Sequence, residues 1–264
     1  MHWYTGNTTY DTVLTIALAL VAIVAVTAPF VPSPYGRFGS NRFGFTLAPR
    51  LGWFLMELGS PLTFLYFYFQ GPHRFSPVPL IFLGLWCVHY ANRAFFFPLS
   101  IRSPRGAQAN FSAMVMGIGV VVTALHGYLN GSYFSHFGSQ YTTAWLTDPR
   151  FLIGFPLWAI SYALNLHCEA IVRNLRTREE VAAGTRIYRI PVGGLFRWVT
   201  SPTYLTELSA WTGFALASWS MGGVFILTVS AANLLPRAVS THRWYRERFP
   251  DYPRERKALV PYLY

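Results

Sequence analysis

Charge is what this chain lacks most. Only 12% of its 264 residues are Asp, Glu, Lys or Arg, about half the share of roughly 25% that soluble domains carry. With 53% hydrophobic and 18% aromatic residues, the composition points away from a soluble globular fold and toward an all-α, polytopic integral membrane protein. Acids number ten against 21 bases. Lysine is nearly absent: Lys257 stands alone beside twenty arginines. Cysteine is confined to Cys87 and Cys168. Two cysteines make no disulfide framework, neither has metal-ligand spacing, and both read as packing residues with no metal expected. The sequence also has no G-x-G-x-x-G after a strand, no P-loop and no H-E-x-x-H. A nucleotide site here has to be built from helix ends and loops. No repeat, low-complexity tract or long linker divides the chain, so a single domain is expected.

What is there, first, is a series of apolar runs. Seven segments are long and apolar enough to cross a bilayer, at about 11–30, 49–70, 77–97, 110–130, 150–168, 202–219 and 222–240. The last two are separated by little more than Met221-Gly222-Gly223, read as a tight turn. The first run is preceded by no Lys or Arg, and Pro29 follows its small residues. It reads as a retained span rather than a cleaved leader.

The bases fall between the apolar runs, which suits topology and lipid contact better than nucleic acid, and no nucleic-acid partner is expected. Arg37, Arg42 and Arg50 follow span 1, and Arg102 and Arg105 follow span 3. Six more, from Arg173 to Arg197, follow span 5, and the tail adds Arg243 to Lys257. Alternate loops hold only Arg74 and Arg150. The alternation predicts an outward N-terminus, with the 169–201 loop and the tail in the cytoplasm. The membrane would be a bacterial inner membrane, or the endoplasmic reticulum in a eukaryote.

Ionisable groups within bilayer helices are costly and mark functional candidates. Glu57, Glu169 and Glu207 stand out. At 1.5 Å per residue, Glu57 lies roughly 10 Å from the cytoplasmic end of its span and Tyr90 roughly 12 Å from the same side. The two can face one cavity. Tyr90 can equally be an ordinary hydrogen-bonded aromatic, and Glu57 can simply pair with an Arg. Asn165 and Glu169 close span 5 one turn apart on the same face.

The polar segments have a recognisable order. Asn165, His167, Glu169, Arg173 and Arg176 are followed by Tyr188-Arg189-Ile190-Pro191 and Gly193-Gly194-Leu195-Phe196. The tail has His242-Arg243-Trp244-Tyr245, then Asp251-Tyr252-Pro253, then Arg256 to Pro261. The first half adds Tyr35-Gly36-Arg37, Trp53-Phe54-Leu55-x-Glu57 and His89-Tyr90-x-x-Arg93. In this order the chain resembles the steroid 5α-reductase family, membrane 3-oxo-steroid 4-dehydrogenases that use NADPH.

The resemblance implies that Glu57 and Tyr90 are catalytic and meet the steroid C3 carbonyl, with Arg93 beside the substrate. It implies an NADPH site of Asn165, Glu169, Arg173, Arg176, Tyr188, Arg189, Thr203, Glu207, Arg237, Thr241, His242 and Tyr245. Residues 1–130 would form the steroid half and 150–264 the cofactor half. The chain would act as a monomer on a hydrophobic substrate that enters from the bilayer.

Departures concern substrate preference and cofactor contacts. Met56 stands where the family commonly has Gln, Thr203 where it often has Asn, and Thr241 where it has His. Ser100 to Arg105 replaces an Asn-x-Gly-Arg loop. Other membrane reductases of sterol or enoyl double bonds and isoprenylcysteine methyltransferases share related scaffolds. A transporter fits less well, because the polar residues gather on the cytoplasmic side and leave the outer half largely without ionisable groups.

Overall fold

The structure, a computed structural model, describes residues 4–30, 38, 45–102, 111–184 and 187–264. The Tyr35-Gly36-Arg37 motif, Arg42, Arg105 and Arg186 lie outside the described residues.

The apolar runs become helices: α1 (Thr8–Thr27), α2 (Pro49–Tyr68), α3 (Pro77–Tyr90), α5 (Ala113–His136), α6 (Pro149–Arg173), α8 (Pro202–Ser218) and α9 (Met221–Arg248). A short α4 (Phe97–Ser100) continues α3 through a π-helical stretch, Ala91–Phe96, and α7 (Arg178–Ala182) sits in the loop after α6. Among the described residues, five helical segments are long and apolar enough to span a membrane: Thr8–Thr27, Pro77–Ser100, Ala113–His136, Pro149–Arg173 and Met221–Arg248. The sequence reading of an all-α chain needs one small amendment. Thr46–Leu47 (β1) pairs antiparallel with Phe111–Ser112 (β2).

Helix starts follow local chemistry. Proline occupies the first turn of α2, α3, α6 and α8, where its missing N–H costs nothing. Asn7, Asp148 and Ser220 cap α1, α6 and α9 by accepting from backbone amides. Ser220 also moves the last turn. The reversal between α8 and α9 is at Trp219, whose φ is 49°, and Gly222-Gly223 lies inside α9 rather than forming the turn. There Gly222 passes close to Asn130, and Gly223 to Ala215.

Two helix pairs, α2 with α5 and α6 with α8, form the most extensive contacts, and α9 packs on α8, α1 and α5. Small residues permit this closeness, as they do between helices in lipid. A Cβ on Gly127 of α5 would come 2.7 Å from the Phe64 amide of α2. Likewise, one on Gly213 of α8 would sit 3.0 Å from the Trp158 Cα of α6. Hydroxyls add cross-links: Thr123 donates to the Met56 carbonyl at 2.6 Å and Thr63 to that of Ala124 at 3.0 Å. The centre is aromatic, with Phe64 stacked on Trp86 and Phe82 on Phe134. Cys168 is buried as expected, whereas Cys87 is exposed on α3.

The basic loops meet at one end of the bundle. Arg50 donates to the Ile101 carbonyl, and Arg102 to the Arg176 carbonyl at 2.6 Å. The tail joins them: Lys257 N–H donates to Trp198, and Thr200 and Ser201 N–H donate to Lys257 and Ala258. The opposite end is closed by Tyr141 donating to the Ser218 carbonyl and Trp145 to that of Ala217.

Candidate active site

A cavity of about 430 Å³ opens between the ends of α2, α4, α6, α8 and α9, the 188–201 segment and β2. Its walls hold Arg93, Arg102, Arg173, Arg176 and Arg237 against two carboxylates, Glu169 and Glu207. Asn165, Tyr188, Thr203, Thr241 and Tyr245 also line it. Ten of the expected cofactor residues therefore share one space.

Two expected residues stand elsewhere. Arg189 is held by Glu180, and donates to the Leu175 carbonyl at 2.5 Å. His242 is behind the wall, with Nδ1 2.5 Å from the hydroxyl of Thr200, a lining residue. Glu180 lies in the loop outside the spans, and the Arg189 guanidinium pulls its carboxyl down from 4.5 to about 2.

Local sequence explains several placements. Asn165 and Glu169 are one turn apart on α6, and the Asn165 amide donates to the Thr203 carbonyl and to Thr206 of α8. Glu207 accepts from Trp211, one turn later on α8, at 3.1 Å, and lies 3.7 Å from His89 Nε2. Arg237 donates to the Tyr204 hydroxyl at 3.0 Å. Pro236, just before it, cannot donate a helical hydrogen bond.

The π-helical stretch carries the residues that connect this cavity to the helix interior. Pro98 has no N–H, and Phe97 N–H bonds back five residues to Asn92, the spacing of a π-helix. The widened turn presents Asn92 and Arg93. Asn92 donates to Glu169 at 3.2 Å. Arg93 contacts Glu57 at 3.1 Å and Glu169 at 3.7 Å, and its guanidinium lies over the rings of Trp53 and Phe97.

Glu57 and Tyr90 are not among the residues lining the cavity. They are buried, 6% and 2% exposed, and Glu57 is reached from the cavity wall by Arg93. The Tyr90 hydroxyl is 3.4 Å from His126 Nδ1. Arg93 thus links the cavity, where Glu169 is, to the buried carboxyl of Glu57.

Sequence reading missed several wall residues. Arg102 was counted only as a topology marker, yet it lines the cavity and ties the loop after α4 to the end of α6. Thr200, Ser201 and Tyr204 lie in the YRIP-to-Glu207 stretch without a charge to signal them. Trp211, four residues after Glu207, was legible as a helical neighbour.

Comparison with known proteins identifies the family. The model of the 3-oxo-5-alpha-steroid 4-dehydrogenase family matches residues 109–264. The 3-oxo-5-alpha-steroid 4-dehydrogenase 1 of Rattus norvegicus is 38% identical over 248 residues, covering 93% of this chain and 91% of that protein. The corresponding Homo sapiens protein is 37% identical, covering 88% and 86%. Steroid 5-alpha-reductase DET2 of Solanum lycopersicum is 33% identical, covering 89% of each. The chain belongs to the 3-oxo-5-alpha-steroid 4-dehydrogenase family, oxidoreductases acting on a CH–CH group.

Proposed function

We propose that this chain reduces the 4,5 double bond of 3-oxo-Δ4 steroids to 5α-dihydro products with NADPH. The observation that carries the reading is the arrangement around Arg93: a cavity rich in guanidinium groups on one side, and the buried Glu57 on the other, with Tyr90 buried in the same bundle.

The cavity suits a phosphorylated dinucleotide. Five arginines face two carboxylates, and planar guanidinium groups bind phosphate in pairs of hydrogen bonds. Two buried hydroxyls on its wall, Ser201 and Thr241, have no hydrogen-bond partner among the described residues. Such groups favour a polar ligand. Arg176 and Arg237 would hold phosphates, the 2′-phosphate included, and Asn165, Glu169 and Glu207 would orient the nicotinamide end. When bound, NADPH supplies the hydride that reduces C5.

Glu57 and Tyr90 act on the other partner. Glu57 in its acid form and Tyr90 each donate a hydrogen bond to the C3 carbonyl oxygen, which stabilises the enolate as C5 is reduced, and C4 then takes a proton. Burial makes these bonds effective, because no water competes for the developing charge. Arg93 holds Glu57 in place through its 3.1 Å contact. The steroid would enter from the bilayer through the 1–130 half, and the cofactor from the cytoplasm through the 150–264 half. In this reading α2 and α8 also cross the membrane, giving seven spans with the N-terminus outside.

The test is NADPH oxidation by purified protein in detergent, with and without a 4-ene-3-ketosteroid. Steroid-dependent oxidation is expected. Oxidation that responds to an enoyl thioester and ignores the 4-ene-3-ketone would overturn the substrate assignment.

A further inference from the structure

His126 is a histidine in the bundle interior that the reaction above does not use. It is on α5, 8% exposed, with its ring against Phe225 of α9 at 5.4 Å. Its Nδ1 faces the Tyr90 hydroxyl at 3.4 Å. Its Nε2 has no hydrogen-bond partner among the described residues. The α5 backbone fixes its position: Asn130, one turn on, donates to the His126 carbonyl at 3.0 Å and to the Gly222 carbonyl of α9 at 3.3 Å.

The two ring tautomers do different things. With the proton on Nε2, a buried N–H is left without an acceptor, and Nδ1 takes the one proton Tyr90 has to offer. With the proton on Nδ1, the imidazole donates to the phenol oxygen and only a lone pair stays unpaired on Nε2. The phenol O–H then points away from His126. The 3.4 Å separation is long for a hydrogen bond, but such bonds are commonly long before a ligand draws them in.

We propose that His126 is a positioning residue: its Nδ1–H donates to the Tyr90 oxygen, which turns the Tyr90 proton toward the ketone of the ligand. The inference rests on the reading that Tyr90 binds the C3 carbonyl. It is specific to ligands that carry that oxygen, since His126 acts only through the Tyr90 hydroxyl.

The test measures equilibrium binding of a 4-ene-3-ketosteroid and of its 3-deoxy counterpart to the full chain in detergent with NADP+ present. His126→Leu should weaken ketone binding about 3- to 10-fold, the effect of one hydrogen bond, and leave 3-deoxy binding within about twofold. In a Tyr90→Phe background the same change should have no further effect on ketone binding, because the group it acts through is gone. His126→Asn keeps an N–H on the atom next to Cγ, where Nδ1 stands, and should restore ketone binding. Equal loss for both ligands, or an undiminished loss in the Tyr90→Phe background, would overturn the proposal. If Tyr90→Phe alone leaves ketone affinity unchanged, the assignment of Tyr90 itself fails and His126 falls with it. Should the Leu variant not fold, His126→Phe, which keeps a ring against Phe225 and offers no N–H, replaces it with the same expected results.

Discussion

Arg93 is the residue on which the site turns. Its guanidinium contacts Glu57 and Glu169 and lies over Trp53 and Phe97. Removing one member of a buried ion pair leaves the others uncompensated and costs about 3–5 kcal/mol. Arg93→Met should therefore lower the unfolding midpoint measured in detergent. Arg93→Lys should recover it only in part, because a point charge cannot meet two carboxylates and two rings as a planar fork does. Glu57→Gln and Tyr90→Phe should behave differently. Each should lower kcat by about 100-fold or more while cofactor affinity, read by fluorescence titration, stays at the wild-type level. Arg176→Ala should do the reverse, weakening NADPH about tenfold. At this scale the sequence was informative where a charge sits in an apolar run. Glu57, Glu169 and Glu207 could be found that way. Arg93 looked like part of a motif, because nothing in a linear spacing shows one side chain reaching two acids on different helices.

The tail acts as an element through the segment it holds. Arg256 is buried and donates to the Pro191 carbonyl at 2.9 Å, while Tyr252 meets the Thr200 hydroxyl at 2.7 Å. Pro191 and Thr200 are both cavity walls. Arg256→Ala should thus weaken NADPH binding although Arg256 does not line the cavity, and unchanged affinity would separate the tail from the site. The α7 turn has its own dependence. Glu180 has its folded pKa lowered to about 2, so its pairing with Arg189 is intact above about pH 4.5 and is lost as pH falls toward 2. The protection factors of the 175–184 amides, intrinsic exchange rates divided by observed rates at each pH, should fall across that window. Helix positions were legible from apolar length, and most ends from proline and cap residues. The α8–α9 turn was misplaced by two residues. Gly222-Gly223 reads as a turn by composition, but its glycines serve close packing, and Ser220 supplies the cap. The π-helical stretch was not legible. It depends on Pro98 acting within an otherwise continuous helix.

For the whole molecule, the alternation of arginine-rich and arginine-poor loops anticipated which loops meet. Arg50, Arg102, the Arg176 backbone and Lys257 all converge on one end. If that end is cytoplasmic, a single added cysteine at Lys257 in a Cys87→Ser background should resist a membrane-impermeant thiol reagent applied to sealed cells, and one at Arg74 should react. The cavity lies at this same end, and the aromatic centre of Phe64, Trp86, Phe82 and Phe134 is buried. On the proposed function, the molecule would be divided between a soluble cofactor and a lipid-borne substrate, with Glu57 and Tyr90 at the boundary.

Isotope transfer tests this division most directly. The full chain in detergent is given a 4-ene-3-ketosteroid and NADPH deuterated at the transferable C4 position, and the product is examined by mass spectrometry and NMR. A 5α-dihydro steroid with a single deuterium at C5 is the predicted result. No reduced steroid, or deuterium delivered to any other carbon, would contradict it.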